Sequence, residues 1–206
     1  MRGFHKPVKR PGDVVETLGG AGGDPADANA LAHDTASSLL HRVRQAKDPE
    51  IVEAVIAYSD THGIDDVAEL WSGSAADTLP GALWRLYLLR HTIALAPDAA
   101  GFRFRRGLEV DTVGQAIAGA ENTPTPQEVV DLATEILRGA FAGDFAVALE
   151  RASGFARVMS EGSSELAGGE IDPGRLEEES RRAGGFAEMS RELMIAARLW
   201  REDRLF

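Results

Sequence analysis

Cysteine is absent from this 206-residue chain. Its absence excludes disulfides, thiolate metal sites and cysteine nucleophiles, and it predicts a cytoplasmic protein. Aromatic residues make up only 6%. Alanine and leucine must then do most of the packing, and close-packed small residues favour a helical bundle over a sandwich. Basic residues are outnumbered: 22 Lys and Arg stand against 33 Asp and Glu, a net charge of -11. Such a surface repels a nucleic-acid duplex. Long apolar runs are missing too. The longest is broken by Arg85, Arg90 and Pro97, so no segment is expected to span a bilayer. The basic start, with Arg2, Lys6, Lys9 and Arg10, leads into Gly12-Asp13 and a glycine cluster. A signal peptide would need an apolar stretch there. Strand-like alternation of period two never persists, which leaves an all-α fold.

What the chain does have is helical periodicity. Residues 1–25 carry Pro7, Pro11 and Gly19-Gly20-Ala21-Gly22-Gly23 with few bulky apolar residues, a composition that predicts a disordered arm. A first helix is expected from Pro25 to about Ala46, with Ala32, Ala36, Leu39, Leu40 and Val43 on its buried stripe. A second follows Asp48-Pro49, and a short third runs from Asp65 to Trp71. Leu79-Pro80-Gly81-Ala82-Leu83-Trp84-Arg85-Leu86-Tyr87-Leu88-Leu89-Arg90 is apolar almost all round, so this helix belongs in the centre of the core. Residues 98–120 read as helical with a break near Gly107. Thr125-Pro126-Gln127-Glu128 is a capping box, and the stripes on either side of Gly143 predict a helical hairpin over 126–160. The Gly, Ser and Glu in 161–172 predict a linker. Asp172-Pro173 opens a last helix, weakened by Gly184-Gly185. The expected organisation is an arm (1–25), a helical bundle (26–160), a linker (161–172) and a C-terminal amphipathic helix (173–206).

Few residues carry chemistry. His33-Asp34 on a helix is the core of HD-type metal phosphohydrolases, and His62, Asp60, Asp65 and Asp66 are further candidate ligands. That pattern needs a histidine on an earlier helix, and the only one upstream is His5, in the arm. The bland reading is a solvated face: His33, Ser37, His41 and Gln45 recur every four residues opposite the apolar stripe. Arg85 and Arg90 sit inside the apolar central helix. They could hold an anionic ligand in a bundle cavity, or pair with an internal acid and the helix end. The basic start of the arm could meet at most about four phosphates, a weak and salt-sensitive contact. In the last helix Phe186, Met189, Leu193 and Trp200 share a face that a partner groove could take, or that folds back onto the bundle.

Trp71-Ser72-Gly73-Ser74, the stretch 79–90, and Leu137-Arg138-Gly139-Ala140-Phe141-Ala142-Gly143-Asp144-Phe145-Ala146-Val147-Ala148-Leu149-Glu150-Arg151-Ala152 resemble an uncharacterised family of acidic helical proteins from actinobacteria. Some members carry a label relating them to the RNA polymerase β subunit. The resemblance covers roughly 30–160. It implies a transcription-associated role and brings no active-site residues with it.

The sequence therefore predicts a non-enzymatic protein-interaction or regulatory protein, with no catalytic, metal or cofactor-binding residue. Its partner, or a second copy of itself, would be met through Phe186, Met189, Leu193 and Trp200. Two alternatives remain: a metal-dependent phosphohydrolase built on His33 and Asp34, and a carrier of a small apolar or anionic ligand near Arg85.

Overall fold

The computed structural model describes residues 25–62, 65–120 and 124–205. Among them there is no strand, and nine helices follow one another: α1 Pro25–Ala46, α2 Pro49–His62, α3 Asp65–Trp71, α4 Leu79–Leu95, α5 Pro97–Leu108, α6 Thr112–Ala118, α7 Pro126–Ala142, α8 Phe145–Gly169 and α9 Pro173–Arg201. The fold is an all-α bundle. No helix among the described residues is long and apolar enough to cross a membrane. The expected arm, apart from Pro25, lies outside the described residues, as does Gly63.

The starts were written in local chemistry. Proline's fixed φ suits the first helical turn, where its missing N–H costs nothing, and it stands there in α4, α5, α7 and α9. Side-chain oxygens satisfy orphan N–H groups at other starts, and at some of the same ones. Thr78 accepts from Gly81, Asp111 from Gly114, Asp144 from Val147 and Asp172 from Arg175. Thr125 and Glu128 form the reciprocal capping box. Pro97 does more than stop α4, because it opens α5 after the single residue Ala96.

Helix α8 is the hub and packs on α5, α6, α7 and α9. Phe104 of α5 lies against Phe155 of α8 with ring centroids 4.6 Å apart. On the far side of the core Trp71, Tyr87 and Phe141 form a chain of tilted and edge-on contacts, each 6.3 Å between centroids. Burial pushes the Tyr87 phenol pKa well up, and its hydroxyl donates to the Val55 carbonyl at 3.2 Å.

Helices α5 and α8 approach backbone to backbone through two glycines. A Cβ on Gly107 would lie 1.9 Å from the Val158 carbonyl oxygen, and one on Gly162 would lie 1.9 Å from that of Arg103. Only hydrogen fits at either place.

The linker expected over 161–172 is not there. Helix α8 continues to Gly169, and only 170–172 separates it from α9. The small residues read as linker are the packing surface: Gly162, Ser163 and Ala167 are buried. Of the two places expected for the C-terminal helix, it takes the one folded back onto the bundle. It lies along α8, and Phe186, Leu193, Ala196 and Ala197 belong to the common core. Ser153 donates to the Ser190 carbonyl at 2.8 Å, and Ser160 to that of Ala183 at 2.9 Å. A helix that follows three loop residues after its neighbour is held antiparallel to it, so its apolar face meets α8 before any partner. The pair Gly184-Gly185 leaves α9 unbroken.

Candidate functional site

The outward face of α1 forms one wall of a groove. Its central cleft, about 740 Å³, takes His33, Ser37, His41, Arg44 and Gln45 from that helix and Lys47 just beyond it. Leu40, Leu79, Trp200 and Leu205 supply apolar lining. No carboxylate lines it among the described residues. Two further clefts adjoin it. One, of about 520 Å³, shares His33 and includes Asn29, Asp34, Ser74 and Thr78. The other, of about 450 Å³, shares Arg44 and Lys47 and includes Asp48, Glu53 and Arg138. The three follow α1 from Asn29 to its end, about 25 Å at 1.5 Å per residue.

Arg44 is the fixed point of the groove. Its Nη2 donates to the carbonyls of Ala140 at 2.9 Å and Gly143 at 3.2 Å, so a side chain of α1 caps the C-terminal end of α7. Its guanidinium also lies over two rings, 5.9 Å from the Phe145 centroid and 5.7 Å from that of Trp200. Those rings meet edge-on at 4.8 Å. Desolvation lowers the Arg44 pKa and the nearby Asp144 carboxylate opposes that shift. Its Nε is buried and makes no hydrogen bond.

Part of the central cleft's lining depends on how α9 stops. Asp203 takes φ 52°. The Arg204 N–H donates to the Leu199 carbonyl at 2.8 Å and the Asp203 N–H to that of Trp200 at 3.1 Å. This is a Schellman ending with aspartate in the usual glycine position. It reverses the chain and buries Leu205.

His33 and Asp34 line one cleft together, whereas Asp65, Asp66 and Arg90 line none of the three. His33 is half-buried, with Nε2 3.3 Å from the Ser37 hydroxyl, and Asp34 is exposed. Asp66 accepts from the Tyr58 hydroxyl at 2.8 Å. The side chains of Asp60 and His62 lie outside the described residues. Among those described, no three His, Cys, Asp or Glu side chains come together as a metal site. Arg85 is engaged within the protein: its Nε and Nη2 donate to Glu192 of α9 at 2.6 and 3.1 Å, and its Nη1 to the Gly81 carbonyl at 2.9 Å. It lines none of the three clefts. Arg90 is buried and donates from Nε to Thr134 at 3.1 Å.

Of the four residues expected to meet a partner, Phe186 and Leu193 are buried, and Met189 and Trp200 are half-buried against the same core. That face is covered within the chain. Trp200 alone reaches the groove. Sequence reasoning passed over Arg44, Lys47, Leu79 and Leu205. The signal within reach was Arg44, which with Arg42 flanks the buried Val43 of α1.

Comparison with protein-family models, with curated proteins and with solved structures found no match.

Proposed function

We propose that this protein is a non-enzymatic, cytoplasmic interaction protein and that its recognition surface is the groove along α1. The central cleft carries the reading. In a chain of net charge -11 it gathers Arg44, Lys47 and two histidines over an apolar lining with no carboxylate among the described residues. A basic patch steers an acidic partner toward it. The length of the groove fits a chain segment better than a small molecule, because a drug-sized ligand fills one cleft and not three in line. The resemblance to actinobacterial proteins with an RNA polymerase-related label makes a transcription-associated setting the first place to look.

The alternatives have less to stand on. Arg85 has Glu192 where an anionic ligand would go. His33 and Asp34 are joined by no third ligand among the described residues.

A photo-crosslinking residue at Gln45, in the groove, and another at Arg181, on the outer face of α9, test the reading in the source cells. A discrete adduct from position 45 alone is expected. Equal adducts from both positions, or none from position 45, would refute it.

A further inference from the structure

The corner between α8 and α9 carries the converse of the central cleft. Ile171 stands in the turn and is 94% exposed, more than any other large apolar side chain among the described residues. Ile171 and Leu176 occupy the two positions, around the Asp172 cap, that commonly pack together as a hydrophobic staple. That contact is not made: Ile171 is left open, and Leu176 is 42% exposed. Exposure alone says nothing. The charge beside it does. Glu170 and Asp172 flank Ile171 in the chain, with Glu165 just upstream. Downstream, Glu177 and Glu178 pair with Arg181 and Arg182, which leaves Arg175 as the cation of the corner.

The corner is also fixed by its own hydrogen bonds. Glu170 Oε1 accepts from the N–H of Ile171 at 2.9 Å and of Asp172 at 3.0 Å, and Asp172 Oδ1 accepts from that of Arg175 at 2.9 Å. Each carboxylate uses one oxygen in its turn and has the other for a cation.

We propose that the occupant of the groove is a second copy of this chain, which inserts its α8–α9 corner, residues 170–172, into the central cleft. Ile171 lies on Leu79, Trp200 and Leu205, while Glu170 and Asp172 meet Arg44 and Lys47. The proposal rests on the groove being a recognition surface and names its acidic partner.

Position makes this contact one between copies. Phe145 opens α8 and meets Trp200 in the last turn of α9, so the central cleft lies at one end of this helix pair. The corner lies at the other end, 24 positions along α8 from Phe145 to Gly169, or about 36 Å. The corner of one molecule cannot reach its own cleft across that span, whereas a neighbour's can. The two surfaces differ, so the contact is heterologous, and each copy added in line leaves one corner and one cleft open for the next. A cleft of about 740 Å³ has room for an isoleucine and its two neighbours. A preformed corner lowers the ordering cost of binding, but three residues bury little area, which places the contact in the weak class. Two copies of net charge -11 also repel each other. At physiological salt that repulsion is screened beyond about 8 Å, and charges in contact are screened less.

Sedimentation velocity of the full chain at physiological salt, from micromolar to millimolar protein, tests the proposal. The sedimentation coefficient should rise with concentration and should not level off at the dimer. Ile171→Lys removes the apolar tip and offsets its flanking charge. His41→Glu sets an acid one turn from Arg44. Both positions are exposed, so each variant should keep the parent Tm and weaken association about tenfold or more. Mixed in equal amounts, the two variants should form a dimer and nothing larger, through the intact cleft of one and the intact corner of the other. Association unchanged in either variant, a parent that levels off at the dimer, or a mixture that stays monomeric would overturn the proposal. So would a parent chain that is monomeric throughout. If that monomer still gives an adduct from position 45 to a different protein, the second copy is defeated and the interaction reading stands; with no adduct, both fall.

Discussion

Replacing Gly162 by alanine adds one methyl group, and the structure leaves no room for it. The new Cβ would lie 1.9 Å from the Arg103 carbonyl oxygen and 3.0 Å from the Gly107 nitrogen. Both are backbone atoms of α5, so no side chain can swing aside. Relief requires α5 and α8 to separate by about an ångström. Ordinary overpacking costs about 1–3 kcal/mol, and a clash with backbone belongs at or above the upper end. Separation would also loosen the Phe104–Phe155 contact and draw Arg103 from Glu179, to which it donates at 2.9 and 2.5 Å. In a protein of this size about 3 kcal/mol lowers Tm by roughly 6–12 °C. Gly184 and Gly185 provide the control, for a Cβ at either would meet nothing within 4 Å. Alanine there removes glycine's helix penalty and should stabilise by about 0.5–1 kcal/mol. Thermal melts followed by circular dichroism separate the cases. A Gly162→Ala protein that melts at or above the parent temperature, as linker glycine would allow, refutes the reasoning.

Deleting 173–206 should abolish a cooperative melt or leave insoluble protein, because Leu193, Ala196 and Ala197 fill the common core; a soluble truncated chain melting like the parent would sink this. Leu86→Ala should cost about 2–5 kcal/mol, since Leu86 is 2% exposed, and a mutant with unchanged Tm would place α4 outside the core. Ser163→Ala should stabilise by about 1 kcal/mol, because its hydroxyl is buried and unpaired and removing an unsatisfied group relieves its desolvation; a drop in Tm would mean that the hydroxyl has a partner. Stability should fall in acid. Hydrogen bonds from Arg103 hold the Glu179 pKa below its ordinary value. The stability this gives is therefore full above the unfolded value of about 4.3 and is lost as pH falls through the lower folded value. Glu179→Gln should lower Tm at neutral pH and flatten its decline below about pH 4.5, and an equally steep decline would refute the assignment.

The helix starts were legible because they rest on local rules. Pro25, Pro49, Pro126 and Pro173, the capping threonine Thr125 and the aspartate Asp172 mark them without any tertiary information. The end of α8 was not legible. Its buried stripe passes from Phe155 and Met159 into Ser163 and Ala167 at unchanged four-residue spacing. The period persists while the hydrophobicity vanishes, and a reading weighted by hydrophobicity stops at Met159. Gly162 looks like a hinge in the sequence and is a contact in the fold. That misreading removed the natural cover for the apolar face of α9 and pointed to a partner instead. The groove was hidden for a different reason. His33, Ser37, His41 and Gln45 are a polar stripe wherever they occur, and they face a concave surface only because Leu79, Trp200 and Leu205 arrive from 34 or more residues away.

The serines of α8 have a consequence during synthesis. Helix α9 leaves the ribosome after α8, so for some seconds that flank of α8 is uncovered. The flank offers Ser153, Ser160 and Ser163 among glycines and alanines, and two of these hydroxyls later bond to carbonyls of α9. Water can satisfy them in the interval. A nascent chain with leucines in those places would present a continuous greasy seam to its neighbours, whereas this one waits for its last helix with a wettable edge.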